Sequence, residues 1–64
     1  MTVAPRAFRV SRGGVEHRLT ASSEEELLDA LSGYVLLFDA AEMLAAQAWA
    51  GEEAVHGFIE VWAV

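Results

Sequence analysis

Large apolar residues alternate with polar ones from Ala7 to Thr20, and two glycines sit at the centre of that stretch. Alternation is the period of a strand. Gly13-Gly14 supplies the two left-handed positions of a tight two-residue turn, so the stretch reads as a β-hairpin. With Arg12 opposite Val15, Val10 faces His17 and Phe8 faces Leu19 on one mostly apolar face. Ala7–Thr20, Arg9–Arg18 and Ser11–Glu16 share the other face. A slip of one residue would send Phe8 and Leu19 to opposite sides, so the register is strongly specified. Arg9 opposite Arg18 is repulsive unless an acid lies nearby. Pro5 suits the position just ahead of the first strand.

The pattern then changes to a helical one. Ser23 is placed to cap a helix, with Glu26 three residues on as a capping box requires. Glu24, Glu25 and Glu26 suit the positive end of the helix dipole. Leu27, Leu28 and Leu31 form one apolar stripe, while Glu25, Glu26 and Asp29 point away from it. Ser32-Gly33 is the expected stop. Tyr34 to Phe38 is an unbroken apolar run, and periodicity alone does not separate a buried helical turn from a buried strand there. Leu31, Val35 and Phe38 continue a helical spacing, so a short helical segment is the expectation and a central strand the alternative.

Asp39 and Glu42 read as a second capping box. Ala40 to Ala50 has high helix propensity. Ala41, Leu44, Ala45 and Ala48 offer a smooth face for close packing, Met43 fits either side, and Gly51 ends the helix. Glu52-Glu53 lies in the connection. Val55 to Val64 reads as one strand, rich in β-branched and aromatic residues. Ile59, Val61 and Ala63 fall on one face, and Phe58, Glu60 and Trp62 on the other. The expected architecture is α+β: a three-stranded antiparallel sheet, the N-terminal hairpin plus the C-terminal strand, with two to three helices packed on one face. Which hairpin strand the last strand joins stays open.

The 64 residues suffice for one domain, residues 1–64, with a small core. A chain of this size buries only about 60% of its unfolded surface. There is no Cys, so neither a disulfide nor a Cys-based zinc site can staple it. Apolar packing must supply the stability, and small domains of this kind often gain burial by association. The first twenty residues contain no apolar stretch of the kind a secretory signal needs, and Tyr34 to Phe38 is far too short to cross a membrane. Arg without Lys, and abundant Ala, suggest a GC-rich bacterial or phage coding background. The expected location is the cytoplasm of a bacterial host cell, with no membrane contact.

Charge changes the picture most. Arg6, Arg9, Arg12 and Arg18 are the only Lys or Arg residues, and before residue 20 only Glu16 opposes them. The other nine acids follow, giving a net charge of −6. Such a single-sign surface attracts basic partners and repels nucleic acid. The acids have structural work at helix starts and keep a 55% apolar chain soluble. That work does not explain why no cation is interspersed among them. Glu25, Glu26, Asp29, Glu42, Glu52 and Glu53 are therefore the candidate partner-binding residues.

Other chemistry is weaker. His17 and His56, with Glu16 or Glu60, lack metal-ligand spacing, and His17 reads as a hairpin residue beside Val10. Ser22 and Ser23 have no adjacent base and suit capping better than nucleophilic attack. Gly13-Gly14 lacks a phosphate-loop frame and precedes a strand. An Arg9–Arg18 face is too small a cationic surface to make nucleic-acid binding the main role. Trp49, Phe58 and Trp62 are expected mainly in the core, with interface contact as the alternative. No catalytic residue, metal or cofactor is expected.

The whole-chain layout AFRVSRGGVEHRL, SSEEELLDAL, DAAEMLAAQAWAG, GFIEVWAV resembles the small anti-CRISPR proteins of phages and mobile elements, the type I-C inhibitors in particular. It rests on size, charge and order of elements across the chain, not on a signature motif. The resemblance implies a non-enzymatic inhibitor that binds the Cascade surveillance complex and blocks target DNA. An acidic face would do so by occupying the Lys/Arg channel that otherwise neutralises phosphates. A monomer is the expected state, with a dimer open. The alternative function is a small interaction module, antitoxin-like or an assembly subunit, using Phe58, Trp62 and an exposed strand edge.

Overall fold

In the computed structural model, which describes residues 4–64, the chain is α+β. The elements are β1 (Arg6–Arg12), β2 (Val15–Ala21), α1 (Glu24–Leu31), α2 (Phe38–Trp49), β3 (Ala54–His56) and β4 (Ile59–Ala63). The strands form one four-stranded antiparallel sheet in the order β2-β1-β4-β3.

The first hairpin has the register that the alternation dictates, Arg12 opposite Val15 through Phe8 opposite Leu19. Gly13 and Gly14 both have positive φ. The sheet has four strands instead of the expected three, because Val55 to Val64 is not one strand. His56 pairs with Ile59 across a two-residue turn of Gly57 and Phe58. Gly57 has φ +61° and Phe58 does not share the left-handed region. Glycine at the first turn position is the arrangement of a type II′ hairpin turn. The β-rich composition on both sides of Gly57 masked this break. Within β4 the expected alternation holds: Val61 is buried, and Glu60 lies on the opposite, exposed face. β4 joins β1, the first hairpin strand, which settles the open pairing.

α1 starts as its sequence demands. Ser23 Oγ accepts from the Glu26 amide at 3.1 Å, and Leu27 and Leu31 are fully buried. It stops at Leu31, and the Ser32 hydroxyl donates to the Asp29 carbonyl at 2.6 Å. Tyr34 to Phe38 forms neither a third helix nor a central strand. The Tyr34 and Val35 amides both donate to the Leu31 carbonyl, at 2.8 and 2.9 Å, which winds the chain off the end of α1. Val35 enters the core and Leu36 and Leu37 swing outward.

The second capping box does not form either. α2 begins at Phe38, one turn position earlier than Asp39 could cap. Leu37, with extended backbone, is the N-cap, and no side chain caps the helix. The core sets this start: Ala40, Ala41, Leu44, Ala45 and Ala48 must all face the sheet, and they are all buried. The smooth alanine face identified from the sequence is thus the packing face. At the other end α2 closes with a Schellman motif. The Glu52 amide donates to the Gln47 carbonyl at 3.0 Å and the Gly51 amide to the Ala48 carbonyl at 3.1 Å, with Gly51 at φ +88°.

Both helices lie on one face of the sheet, as expected, over Phe8, Val10, Ala54 and Val61. Trp49 stacks on Phe8, ring centroids 5.9 Å apart. The other face carries no helix. Arg18, Arg9 and Trp62 form one row across it, and Glu16, Ser11 and Glu60 the next.

Candidate interaction surfaces

The hairpin directions divide the molecule into two chemically distinct ends. At one end Arg6 pairs with Ala21, and Ala21 leads within three residues into α1. Arg6 Nη1 also donates to the Trp49 carbonyl at 2.9 Å, so the last turn of α2 meets the sheet there. The start of α1 and the end of α2 are therefore side by side. Glu24, Glu25 and Glu26 stand at this end beside β2, whereas Glu53 directly precedes Ala54, which lies opposite Val61 and so near mid-sheet on the β3 edge; all of these and Glu52 are exposed. Glu53 borders a shallow cleft with Gly51, Glu60 and Trp62.

The six candidate carboxylates are all exposed, but they are not one cluster. Glu25 and Glu26 open α1 beside β2, and Glu52 and Glu53 connect α2 to β3 at the other edge of the sheet. Asp29 lies one turn further along α1, in the same stripe as Glu25 and Glu26. Glu42 is in the second turn of α2, about 10 Å along the axis from Trp49 at the helix end, at 1.5 Å per residue. Among the described residues none of the six is in an ion pair. Among the described residues the ion pair present is Arg9–Glu16, at 3.0 Å. That pair supplies the acid that Arg9 opposite Arg18 calls for, and the basic side of the sheet is thereby partly self-neutralised. Glu25 and Asp29, four residues apart on a helix, repel each other by about 0.2–0.5 kcal/mol. The fold therefore carries these charges at some cost.

At the opposite end lie the two hairpin turns, Gly13-Gly14 and Gly57-Phe58, joined by a bond from the Gly13 amide to the Phe58 carbonyl at 3.3 Å. The α1–α2 connection reaches the same end. There Leu36 is 98% exposed and Phe58 86% exposed, with Leu37, Phe38 and Met43 also open to solvent. Phe58 is thus not a core residue. Trp62 is half-buried on the helix-free face, and of the three aromatics only Trp49 packs against the core. Two clefts adjoin at this end. One, of about 410 Å³, is lined by Phe38, Asp39 and Met43. The other, of about 310 Å³, is lined by Arg12, Leu36 and Phe58. Leu37 and His56 border both.

This apolar end was not identified from the sequence. Its signal was the run Tyr34 to Phe38, the longest stretch of large apolar residues. Helix and strand would each have buried most of that run, and it became a surface only because the chain forms neither.

Remaining chemistry is sparse. His17 packs at a tilt against Tyr34, ring centroids 5.1 Å apart and planes 44° apart, and pairs with Val10 across the hairpin. Ser23 is a helix cap. Among the described residues no three His, Asp or Glu side chains converge as metal ligands, and no helix is long and apolar enough to cross a membrane. Comparison with protein-family models, with curated proteins and with solved structures gives no match for this chain.

Proposed function

We propose that this protein is a non-enzymatic binding protein that inhibits a larger assembly by covering a basic surface on it. The observation that carries the reading is the set of carboxylates without interspersed cations: Glu24, Glu25, Glu26, Glu52 and Glu53 are all exposed, and among the described residues none of them is in an ion pair. Carboxylates fixed on helix ends form a preorganised anionic surface, which meets Lys and Arg side chains without first having to be ordered. The anti-CRISPR resemblance makes the partner the Cascade surveillance complex, and the blocked ligand its target DNA. On this reading Glu25, Glu26, Glu52 and Glu53 make the central contacts, Asp29 extends them along α1, and Glu42 is peripheral. The protein acts in the cytoplasm of a bacterial cell, without touching nucleic acid itself.

The test is competition between this protein and target DNA for purified Cascade at increasing salt. Inhibition that fades steeply with salt, and that is weakened by Glu25→Gln/Glu26→Gln and by Glu52→Gln/Glu53→Gln, supports the reading. DNA binding that the wild-type protein leaves unchanged at low salt overturns it.

One observation favours a second reading, that of an interaction module. Phe58 and Val55 are exposed beside β3, a three-residue edge strand, and such an edge can accept a strand from another protein. Binding that survives high salt and fails with Phe58→Ser would favour this module over the inhibitor.

A further inference from the structure

Leu36 and Phe58 project from the apolar end, and the two adjoining clefts sink into it beside them. Burying a Leu or Phe side chain is among the more stabilising contributions a single residue makes. A 64-residue domain with a small core forgoes a large share of its available stabilisation by leaving several such side chains open. Contiguous apolar surface of this kind marks a contact site.

We infer that the occupant is a second copy of this chain, docked apolar end to apolar end about a two-fold axis. A two-fold contact uses the same patch on both subunits, so the patch must be complementary to itself. This one offers both halves of such a contact. It holds knobs, Leu36 and Phe58, and hollows, the clefts on either side of Leu37 and His56. It is bordered by a cation, Arg12 in one cleft, and by a carboxylate, Asp39 in the other. Neither is in an ion pair within the described chain. Across the axis Arg12 of each copy meets Asp39 of the other.

The placement of the α1 acids favours the same face. Arg6, opposite Ala21, marks the end where α1 starts with Glu24, Glu25 and Glu26, and Arg12 marks the apolar end. Six residues of strand separate them, about 20 Å at 3.3 Å per residue. That exceeds two Debye lengths of about 8 Å at physiological salt, so these three acids of the two copies repel little in this arrangement. Docking through the helix-free sheet face would instead bury Arg9, Arg18, Glu16 and Glu60, at a desolvation cost that the apolar end avoids. A polybasic partner would be drawn to the start of α1 and would leave this end uncovered. The dimer does not depend on the inhibitor reading. It places the two α1 starts, with Glu24, Glu25 and Glu26, at opposite poles, each free to bind.

Sedimentation equilibrium of the full chain over a wide concentration range tests this. The expected wild-type mass is twice the 6.9 kDa of one chain, and it persists at high salt, where binding to a basic partner fades. Leu36→Glu/Phe58→Glu should sediment as one chain with an unchanged circular dichroism spectrum. Arg12→Glu should weaken the dimer several-fold, and Arg12→Glu/Asp39→Arg should recover it. A wild-type chain that sediments singly at every concentration overturns the inference, as does a dimer that survives Leu36→Glu/Phe58→Glu. Should that variant unfold, nuclear Overhauser contacts between labelled and unlabelled wild-type chains decide. Contacts from Phe58 support the dimer, and intermolecular contacts confined to other faces overturn it.

Discussion

Arg6 closes the C-terminus of α2 from another element. Its Nη1 donates to the Trp49 carbonyl at 2.9 Å, and its guanidinium carbon lies 4.4 Å from the centre of the Trp49 ring. The last four carbonyls of a helix have no partner within it. Here each is satisfied: Ala46 by the Ala50 amide, Gln47 by Glu52, Ala48 by Gly51 and Trp49 by Arg6. α2 has no basic residue in its last turn. β1 supplies the missing cation, and with it the joint between sheet and helix.

Replacing Arg6 by Gln should therefore destabilise the protein by about 1.5–3 kcal/mol. A partly buried hydrogen bond from a charged donor is worth that much, and loss of the cation–π contact and the helix-end charge adds to it. Arg6→Lys should recover only part of the loss, since an ammonium does not stack flat on the indole. Urea midpoints with an unchanged slope would measure both.

Gly51→Ala should cost about 1–2 kcal/mol. The position has φ +88°, and a Cβ placed there meets nothing within 4 Å. The cost is therefore backbone strain in the left-handed region and not a clash. Gly33→Ala, at a glycine without positive φ, should be far milder. A comparison of the two melting temperatures separates strain from loss of flexibility.

Leu44→Ala and Leu27→Ala should each cost about 2–5 kcal/mol, because both side chains are fully buried between sheet and helices. A domain of this length has a total stability of only about 3–10 kcal/mol. Either variant should be largely unfolded near its melting region when the wild type is intact, as circular dichroism would show.

Stability and binding should part company at the acids. Glu25→Gln/Asp29→Asn relieves a like-charge repulsion of about 0.2–0.5 kcal/mol and loses a favourable first-turn charge of about 0.3–1 kcal/mol, so stability should change by less than about 1 kcal/mol. The same change should weaken binding to a basic partner. A variant that loses stability and keeps full inhibition would contradict the role given to this stripe. By contrast Glu16→Gln breaks an ion pair whose side chains are 45% and 52% exposed, and should change stability by less than about 1 kcal/mol.

Local patterns were legible wherever one residue type has one physical use. Gly13-Gly14 and the flanking alternation specified a hairpin and its register. Ser23 and Glu26 marked the start of α1, and Ala41, Leu44, Ala45 and Ala48 the packing face of α2. The failures came where two uses compete. Asp39 with Glu42 has the spacing of a capping box, yet Leu37 takes the cap position because the alanine face fixes where α2 begins. Gly57 sits inside a β-rich run, and glycine in a strand can mark a bulge, a bend or a turn. Only pairing of β3 with β4 makes it a turn.

The candidate acids show the same division. Their exposure and their lack of interspersed cations were readable as composition. Their placement was not, because residues 24 to 26 and residues 52 and 53 are far apart along the chain. The fold puts residues 24 to 26 beside β2 and residues 52 and 53 beside β3, and leaves Glu42 some 10 Å short of the end of α2. The run from Tyr34 to Phe38 was visible as apolar, but its fate depended on the end of α1. Once the Leu31 carbonyl holds both the Tyr34 and Val35 amides, the chain turns, and its neighbours Leu36 and Leu37 face water.

By itself the sequence determined what depends on neighbours along the chain: the first hairpin, the α1 cap, the two helical faces and the one-sided charge. The period of a strand or helix and the φ of a turn glycine act over a few residues, so they can be read there. Tertiary structure alone decided the fourth strand, the order β2-β1-β4-β3, and the gathering of exposed apolar side chains at one end. These follow from which distant segments share a core, and burial rewards the area removed from water irrespective of distance along the chain.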